Sequence, residues 1–391
     1  MTNHKILHLA DLCTGCFACY NTCPKDAISM DENKEGFYFP VIDPALCINC
    51  GLCDKVCPRI SPQEYHTTRF AYYGWSSNDK DRRNSSSGGI FSAMASSILE
   101  QSGTVYGATF NYQVPIRLEC RSSREVSLSE LQKSKYVQSY VGNAFRAVKQ
   151  DLHTGCQVLF CGTPCQVDGL RNFLKQDYEN LITVDFVCHG VPSMSLLRLH
   201  LDFLGLKKVS EINFRPKRKS WVDDFIIKHA SGIRCVPWEM DEYFYTFQKY
   251  KSIRSSCMSC RHSNGQRAAD ITIADFWGIN QYNPALYDPR GVSLVLANTV
   301  NGNNFIQQCI HNKSSELHPL EPCYAEYIYA KDRTLEKSSY DKTSRNAFIQ
   351  DVYALGYKPA LKRHGYYISR TTKLKKAAKD HLRAIKRLFF K

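Results

Sequence analysis

The sequence of 391 residues has no apolar run long enough to span a bilayer, for which about 20 consecutive apolar residues are needed. Its start, Met1-Thr2-Asn3-His4-Lys5-Ile6-Leu7, lacks the sustained apolar stretch of a secretory signal. Without that signal, the eighteen cysteines are read as reduced thiols and ligands in a cytoplasm, not as a disulfide scaffold. No G-x-G-x-x-G opens a strand–helix unit, which disfavours dinucleotide binding in the Rossmann manner. Zinc-finger and RNP signatures are missing too. The net charge of +14 therefore does not by itself announce nucleic acid, and no such partner is expected. Low-complexity segments are absent, and there is one internal repeat.

That repeat is a cysteine pattern written twice. Cys13, Cys16, Cys19 and Cys23 precede Pro24, and Cys47, Cys50, Cys53 and Cys57 precede Pro58, each 34 residues after its counterpart. Both runs read C-x2-C-x2-C-x3-C-P, the bacterial ferredoxin pattern in which the fourth cysteine ligates the other cluster. The spacing assigns Cys13, Cys16, Cys19 and Cys57 to one 4Fe–4S cluster, and Cys47, Cys50, Cys53 and Cys23 to a second. Two residues between thiolates let a tight loop wrap a cubane, and the proline leads the chain away. Zinc takes four ligands in two pairs and fits eight thiolates at this duplicated spacing poorly. Two clusters in one small fold make a one-electron relay.

The expected fold class is α+β. A ferredoxin-like module over residues 1–64 carries short strands at Ala27–Met30 and Phe37–Val41 and ends in a linker at Ser61–Glu64. A mixed α/β core follows over residues 65–330. Strands are expected at Thr104–Phe110, Gln157–Cys161, Leu181–Val187, Ile212–Phe214, Phe225–Ala230, Ile233–Val236, Ile271–Ala274 and Val292–Ala297. Helices are expected at Ile90–Gln101, Ala144–His153, Gln166–Leu174, Ser195–Leu204 and Glu239–Tyr250. Residues 331–391 turn basic and helical.

Three further segments carry thiols. Cys161 and Cys165 follow one buried strand, Cys188 follows the next, and Cys257-Met258-Ser259-Cys260 is a C-x2-C in a polar loop. Converging strand ends and a C-x2-C loop suit one more cubane, although free cysteines are often simply small buried hydrophobes. These segments, with Ala269-Asp270-Ile271-Thr272-Ile273-Ala274-Asp275-Phe276-Trp277-Gly278, resemble the coenzyme F-420 hydrogenase/dehydrogenase beta-subunit family over roughly residues 72–299. The resemblance implies FAD beside a third 4Fe–4S cluster, held by Cys165, Cys188, Cys257 and Cys260, with Cys161 as a competing ligand. Cys120, Cys156, Cys235, Cys309 and Cys323 lack metal-like spacing.

The run Asn84-Ser85-Ser86-Ser87-Gly88-Gly89-Ile90 opens a helix, where free N–H groups favour phosphate and glycine allows close approach. Taken alone, such a run is more often a cap or turn. The resemblance implies that Ser86, Ser87, Gly88 and Gly89 contact FAD, and with them Lys135, Tyr136 and Ser139 of Lys133–Ser139. Lys135 would then pair with pyrophosphate, and Tyr136 would stack or hydrogen-bond. His189 and Asp275 are candidate acid groups or ordinary strand-end and turn residues. The basic stretch Phe214–Trp221 meets an anionic substrate or is a solvated loop.

Clusters pass single electrons, whereas a flavin delivers a hydride. The combination implies an iron–sulfur flavoprotein oxidoreductase serving deazaflavin coenzyme or another small, lipid- or sugar-linked acceptor, fed by a redox protein or soluble carrier. The alternative is an electron-transfer subunit serving a separate catalytic chain. Self-association is compatible with either. From Lys373 to Lys391, eight Lys or Arg face one acid, Asp380. Leu374, Ala378, His381, Leu382, Ile385, Leu388 and Phe389 form an apolar stripe there. Such a helix either docks peripherally on an anionic membrane surface or packs on protein.

Overall fold

A computed structural model describes residues 4–218, 224–320, 340–369 and 371–372. The N-terminal module is a hairpin of Ile28–Glu32 and Tyr38–Ile42, paired antiparallel with Met30 opposite Pro40, plus two short helices, Ala18–Thr22 and Leu52–Lys55. The duplication is written in the backbone as well as in the cysteines. Gly15 and Phe17 have φ of 64° and 69°, and Asn49 and Gly51, 34 residues on, have 53° and 70°. Left-handed residues between thiols turn consecutive N–H groups inward, which suits an anionic cluster. Phe17 accepts this unfavourable region because its ring is fully buried against Tyr20, Tyr38 and Tyr140.

The remainder is built on an eight-stranded mixed sheet. Its order is Ser315–Leu320, Phe70–Ser76, Ser293–Ala297, Ile271–Asp275, Leu181–Phe186, Val158–Cys161, Thr104–Asn111, Arg117–Ser122. Four neighbouring strands, from Ile271–Asp275 to Thr104–Asn111, run parallel, and the flanking pairs are antiparallel. Val158-Leu159-Phe160 and Leu181-Ile182-Thr183-Val184 are buried throughout, as strands covered on both faces must be. Helices Ile90–Glu100 and Val300–His311 pack with this apolar set, and Ala144–His153 and Pro164–Leu174 pack with the ferredoxin module.

A second core gathers around a three-stranded antiparallel sheet (Glu211–Asn213, Asp224–His229, Gly232–Pro237) and helices Met194–Phe203 and Glu242–Gln248. Helices Lys342–Leu355 and Tyr357–Arg363 bury Phe348, Ile349, Val352, Tyr357 and Leu361 in it. These two helices therefore share the core of the elements that precede them. The basic stripe of residues 373–391 and Cys323 lie outside the described residues. No helix of the described residues is long and apolar enough to cross a membrane.

Three strands of the eight-stranded sheet escaped the sequence reading. Phe70–Ser76 is interrupted by Gly74, Arg117–Ser122 is a half-polar edge, and Ser315–Leu320 holds Pro319, which an edge strand tolerates. The helix expected over Glu239–Tyr250 is shorter. A 3-10 turn at Trp238–Met240 precedes helix Glu242–Gln248, because Asp241 caps it by accepting from the Phe244 N–H at 3.0 Å. The expected linker is pinned. Asn172 Nδ2 donates to the Ser61 carbonyl, and Gln63 Nε2 and Tyr65 Oη donate to Asp168.

Asp241 is also the anchor of the second core. It lies 3.0 Å from His200 Nε2 and 2.8 Å from Arg234 Nη1, and Tyr357 Oη is 3.2 Å from His200 Nδ1. Burial alone would raise its carboxyl, but His200 and Arg234 hold it at about 2. Removing one partner of a buried ion pair costs about 3–5 kcal/mol. Asp241→Asn should lower stability by that order in denaturant titrations at pH 7. The stabilisation is full above the ordinary carboxyl range and fades as pH falls toward 2, so the two proteins should converge in acid.

Candidate functional site

The cysteines of the duplicated runs meet in two small cavities. One, of about 20 Å³, is lined by Cys13, Cys16, Cys19 and Cys57 with Phe17, Met30 and Pro40. The other, also about 20 Å³, is lined by Cys23, Cys47, Cys50 and Cys53 with Pro24 and Ile48. The fourth cysteine of each run thus sits with the first three of the other. His4, buried, lies 3.4 Å from Cys47 Sγ through Nε2 and 3.6 Å from Cys53 Sγ through Nδ1. The first quartet is interior. In the second, Cys50 is exposed and Cys23 and Cys47 are half-buried.

A third cavity, of about 40 Å³, is lined by Cys165, Cys188, Cys257 and Cys260. Each comes from a different device. Cys165 is in the first turn of helix Pro164–Leu174, which is fixed by a reciprocal Thr163–Gln166 cap. Cys188 follows strand Leu181–Phe186 and accepts the Gly190 N–H at 3.4 Å. Cys257 lies in the 3-10 turn Ser255–Ser259, and Cys260 caps its end. Cys161 lines a neighbouring cleft and not this cavity, so the turn that joins it to Cys165 separates the two thiols.

The donor sets suit the group their spacing implies. Burial pushes Cys16 up to about 12 and Cys53 up to about 11, and holds Cys19 and Cys165 well above the ordinary thiol value. Neighbouring thiolates add to this in each quartet. Four crowded, at least partly desolvated thiols ionise together only against compensating positive charge, which iron would supply.

The cleft holds about 240 Å³ and lies at the carboxyl ends of the parallel strands, where open α/β sheets take ligands. Cys161, Phe186 and Asp275, the last residues of three adjacent strands, are on its wall. Ser86, Ser87, Gly89, Lys135, Tyr136 and Ser139 line it as well. Gly88 is absent from that wall. A Cβ there would meet the Gly74 carbonyl at 2.5 Å and Ser293 N at 2.9 Å, so its role is close packing on the sheet. Gly89 caps helix Ile90–Glu100 at φ 88°.

These side chains also have partners within the chain. Lys135 Nζ donates to the carbonyls of Leu131, Gln132 and Lys133, and Tyr136 packs its ring on Phe214, Phe244 and Phe247. The Ser139 hydroxyl accepts from Gln166 Nε2 at 2.9 Å, and Ser86 Oγ accepts the Ser134 N–H. Of Phe214–Trp221, Arg215 turns into the cleft and donates to Asp275 at 2.6 and 3.2 Å. Lys217 caps the carbonyls of Arg82, Ser87 and Arg290. His189 and Trp277 complete the rim. No motif or spacing pointed to Gln138, whose amide bridges the Tyr38 N–H, the Thr14 carbonyl and Arg254. The Thr163–Gln166 pair was missed as well, although its T-x-x-Q spacing is that of a capping box.

The sites are contiguous. Thr14 and Gly15 line both the first quartet's cavity and the third, and Cys188, Ser139, Thr163, Gln166 and Val191 line both the third cavity and the cleft.

Residues 12–59 match the family described as 4Fe-4S dicluster domain, and residues 155–322 match the C terminus of the coenzyme F420 hydrogenase/dehydrogenase beta subunit. The coenzyme F420-dependent sulfite reductase of Methanocaldococcus jannaschii is 24% identical over 315 residues, covering 77% of this chain and 47% of that protein. A ferredoxin of Alicyclobacillus acidocaldarius is 50% identical over 40 residues, 10% of this chain and 45% of that one. The chain spans about half the length of these curated relatives. A chain in the F420-reducing [NiFe] hydrogenase complex from Methanosarcina barkeri aligns over 73% of this chain and 92% of its own, with 16% identity and a TM-score of 0.45.

Lys135 is half-buried on the cleft wall, and desolvation pulls its ammonium down to about 7, with Cys161 opposing and Lys133 adding. The unfolded chain therefore binds more protons than the folded one between about 7 and the ordinary lysine value, so stability rises with pH across that window. In protein stripped of small ligands, Lys135→Met should be more stable than the parent at pH 7. The difference should shrink toward pH 10 in denaturant titrations.

Proposed function

Since the chain belongs to the coenzyme F420 hydrogenase/dehydrogenase beta-subunit family over residues 155–322, behind a 4Fe–4S dicluster domain, we propose that it is an iron–sulfur flavoprotein oxidoreductase. The observation that carries this reading is the shared walls that join the first quartet to the third and the third to the cleft, with the second quartet in the same ferredoxin module as the first. Three 4Fe–4S clusters would pass single electrons, and FAD in the cleft would exchange a hydride with an organic partner.

The chain's own residues supply the rest. The first turn of helix Ile90–Glu100, opened by Gly89 and flanked by Ser86 and Ser87, offers N–H and hydroxyl donors to an anionic group. Lys135 has no carboxylate partner among its contacts, and an anion beside it would restore its charge. Arg215 fixes the orientation of Asp275, while His189 and Cys161 are proton-bearing side chains on the same wall. The hydride partner we favour is a deazaflavin coenzyme, the cofactor in the name of the Methanocaldococcus jannaschii relative. A different small, lipid- or sugar-linked acceptor would use the same cleft. Because the chain spans only about half of that relative, the second reading is an electron-transfer subunit that serves a separate catalytic chain.

Anaerobically purified protein should contain about twelve irons and bind one FAD per chain. Cys257→Ser with Cys260→Ser should remove about a third of the iron and leave the spectra of the reduced ferredoxin module in place. Unchanged iron and unchanged low-temperature EPR would eliminate the third cluster. Reduction of deazaflavin coenzyme by the isolated chain with a chemical reductant separates the enzyme from the subunit reading.

A further inference from the structure

The three quartets differ in their access to solvent. Cys13, Cys16, Cys19 and Cys57 are all buried, and the third quartet is half-buried behind Thr14, Gly15 and His262. Only the second quartet presents an exposed ligand, Cys50, on a loop in which Asp43–Leu46 and Ile48–Cys50 are all exposed. Two large aliphatics flank Cys47 there, Leu46 at 51% and Ile48 at 57% exposure. Ile48 and the exposed Pro24 also line the cavity of that quartet. An apolar collar around the outermost redox site is what a short-lived electron-transfer contact needs, since such interfaces are small and must release.

Charge narrows the partner. Lys25 lines the same cavity, Lys5 follows His4, and Lys55 lies two residues after Cys53; all three are exposed. Among the described residues none of the three forms an ion pair. The nearby acids have partners other than these ammonium groups. Asp54 accepts the N–H groups of Lys5 and Ile6, Asp26 pairs with Arg146 at 2.7 Å, and Asp43 accepts the Ala45 N–H. An apolar centre with three unengaged lysines at its margin complements a carboxylate-ringed face.

We propose that this face is the docking surface for a small acidic one-electron carrier protein. The proposal rests on the relay reading above and names its outer terminus. In the forward sense, the carrier's reduced centre loses one electron and the second cluster gains it, with no bond made or broken at the interface.

An acidic flavodoxin, reduced to its hydroquinone, is a suitable probe, because its semiquinone absorbs away from iron–sulfur bands. Mixed anaerobically with the oxidised full-length protein, it should form semiquinone at a second-order rate that falls steeply as salt rises. Lys5→Glu/Lys25→Glu/Lys55→Glu should slow that step by about tenfold at low salt. Leu46→Ser/Ile48→Ser should weaken calorimetric binding of oxidised flavodoxin. Iron content and the extent of reduction by dithionite should be the same in all variants. A rate that ignores both salt and the lysine changes, in protein with its full iron, overturns the docking surface and leaves the relay standing. Protein that carries no iron at the second quartet overturns the relay itself, and that is visible before mixing.

Discussion

The approach of one cysteine loop to one helix is the constraint on which the rest of this molecule depends. At Gly169, in the middle of helix Pro164–Leu174, a Cβ would lie 3.0 Å from both Cβ and Sγ of Cys16. Any larger residue pushes the ferredoxin loop away from the helix that begins with Cys165. Electron transfer weakens steeply with distance, so a gap of one side chain here would matter more than the loss of most surface contacts. The packing around that point is correspondingly apolar: Phe17, Ala18, Phe145, Val167 and Leu170 are all fully buried in one cluster spanning both parts of the chain.

Buried guanidinium groups hold the same junction against shear. Arg254 is 1% exposed, donates to the Cys13 carbonyl at 2.8 Å and to Gln138 at 3.3 Å, and lies 4.2 Å over the Phe39 ring. Arg345, equally buried, reaches the Ile253 carbonyl and Glu35, and so ties helix Lys342–Leu355 to the turn of the ferredoxin hairpin. Burying an arginine is costly unless its donors are met. Planar groups that each satisfy partners on two segments fix orientation as well as distance. On the proposed reading they also place positive charge beside anionic clusters.

How much of this was legible in the sequence depends on how local the signal is. The ferredoxin ligands follow from spacing alone, since eight cysteines at fixed intervals encode their own loop geometry. The buried parallel strands and their helices were legible because apolar runs and helical periodicity are local too. The convergence of Cys165, Cys188 and Cys257–Cys260 was only suggested by strand ends and a C-x2-C loop, and its ligand set came from the family resemblance, not from spacing. Those residues are nearly a hundred positions apart, and only the order of the parallel strands brings them to one edge. The cleft shows the same limit in finer detail. The residues of the Ser85–Gly89 turn could be guessed, but the pairing of Arg215 with Asp275 depends on two separate sheets meeting. Lys135 turns back on its own loop because three carbonyls lie within reach, which no spacing rule anticipates.

The order of exposure gives this arrangement a direction. The second quartet touches solvent, the first does not, the third is walled by the ferredoxin loop, and the cleft opens at the carboxyl ends of the central strands. On the proposed reading the two termini of the relay differ in form, one an exposed collar and the other a concave cleft. Such a difference is useful when the two ends meet different molecules: a protein that needs an exposed, flat collar, and a small ligand that needs a concave, strand-end cleft. On that reading the middle of the relay is the buried first quartet and the half-buried third. Protons for chemistry at the cleft would then come from groups on its own wall, such as His189 and Cys161, and that side would be governed by burial and local partners.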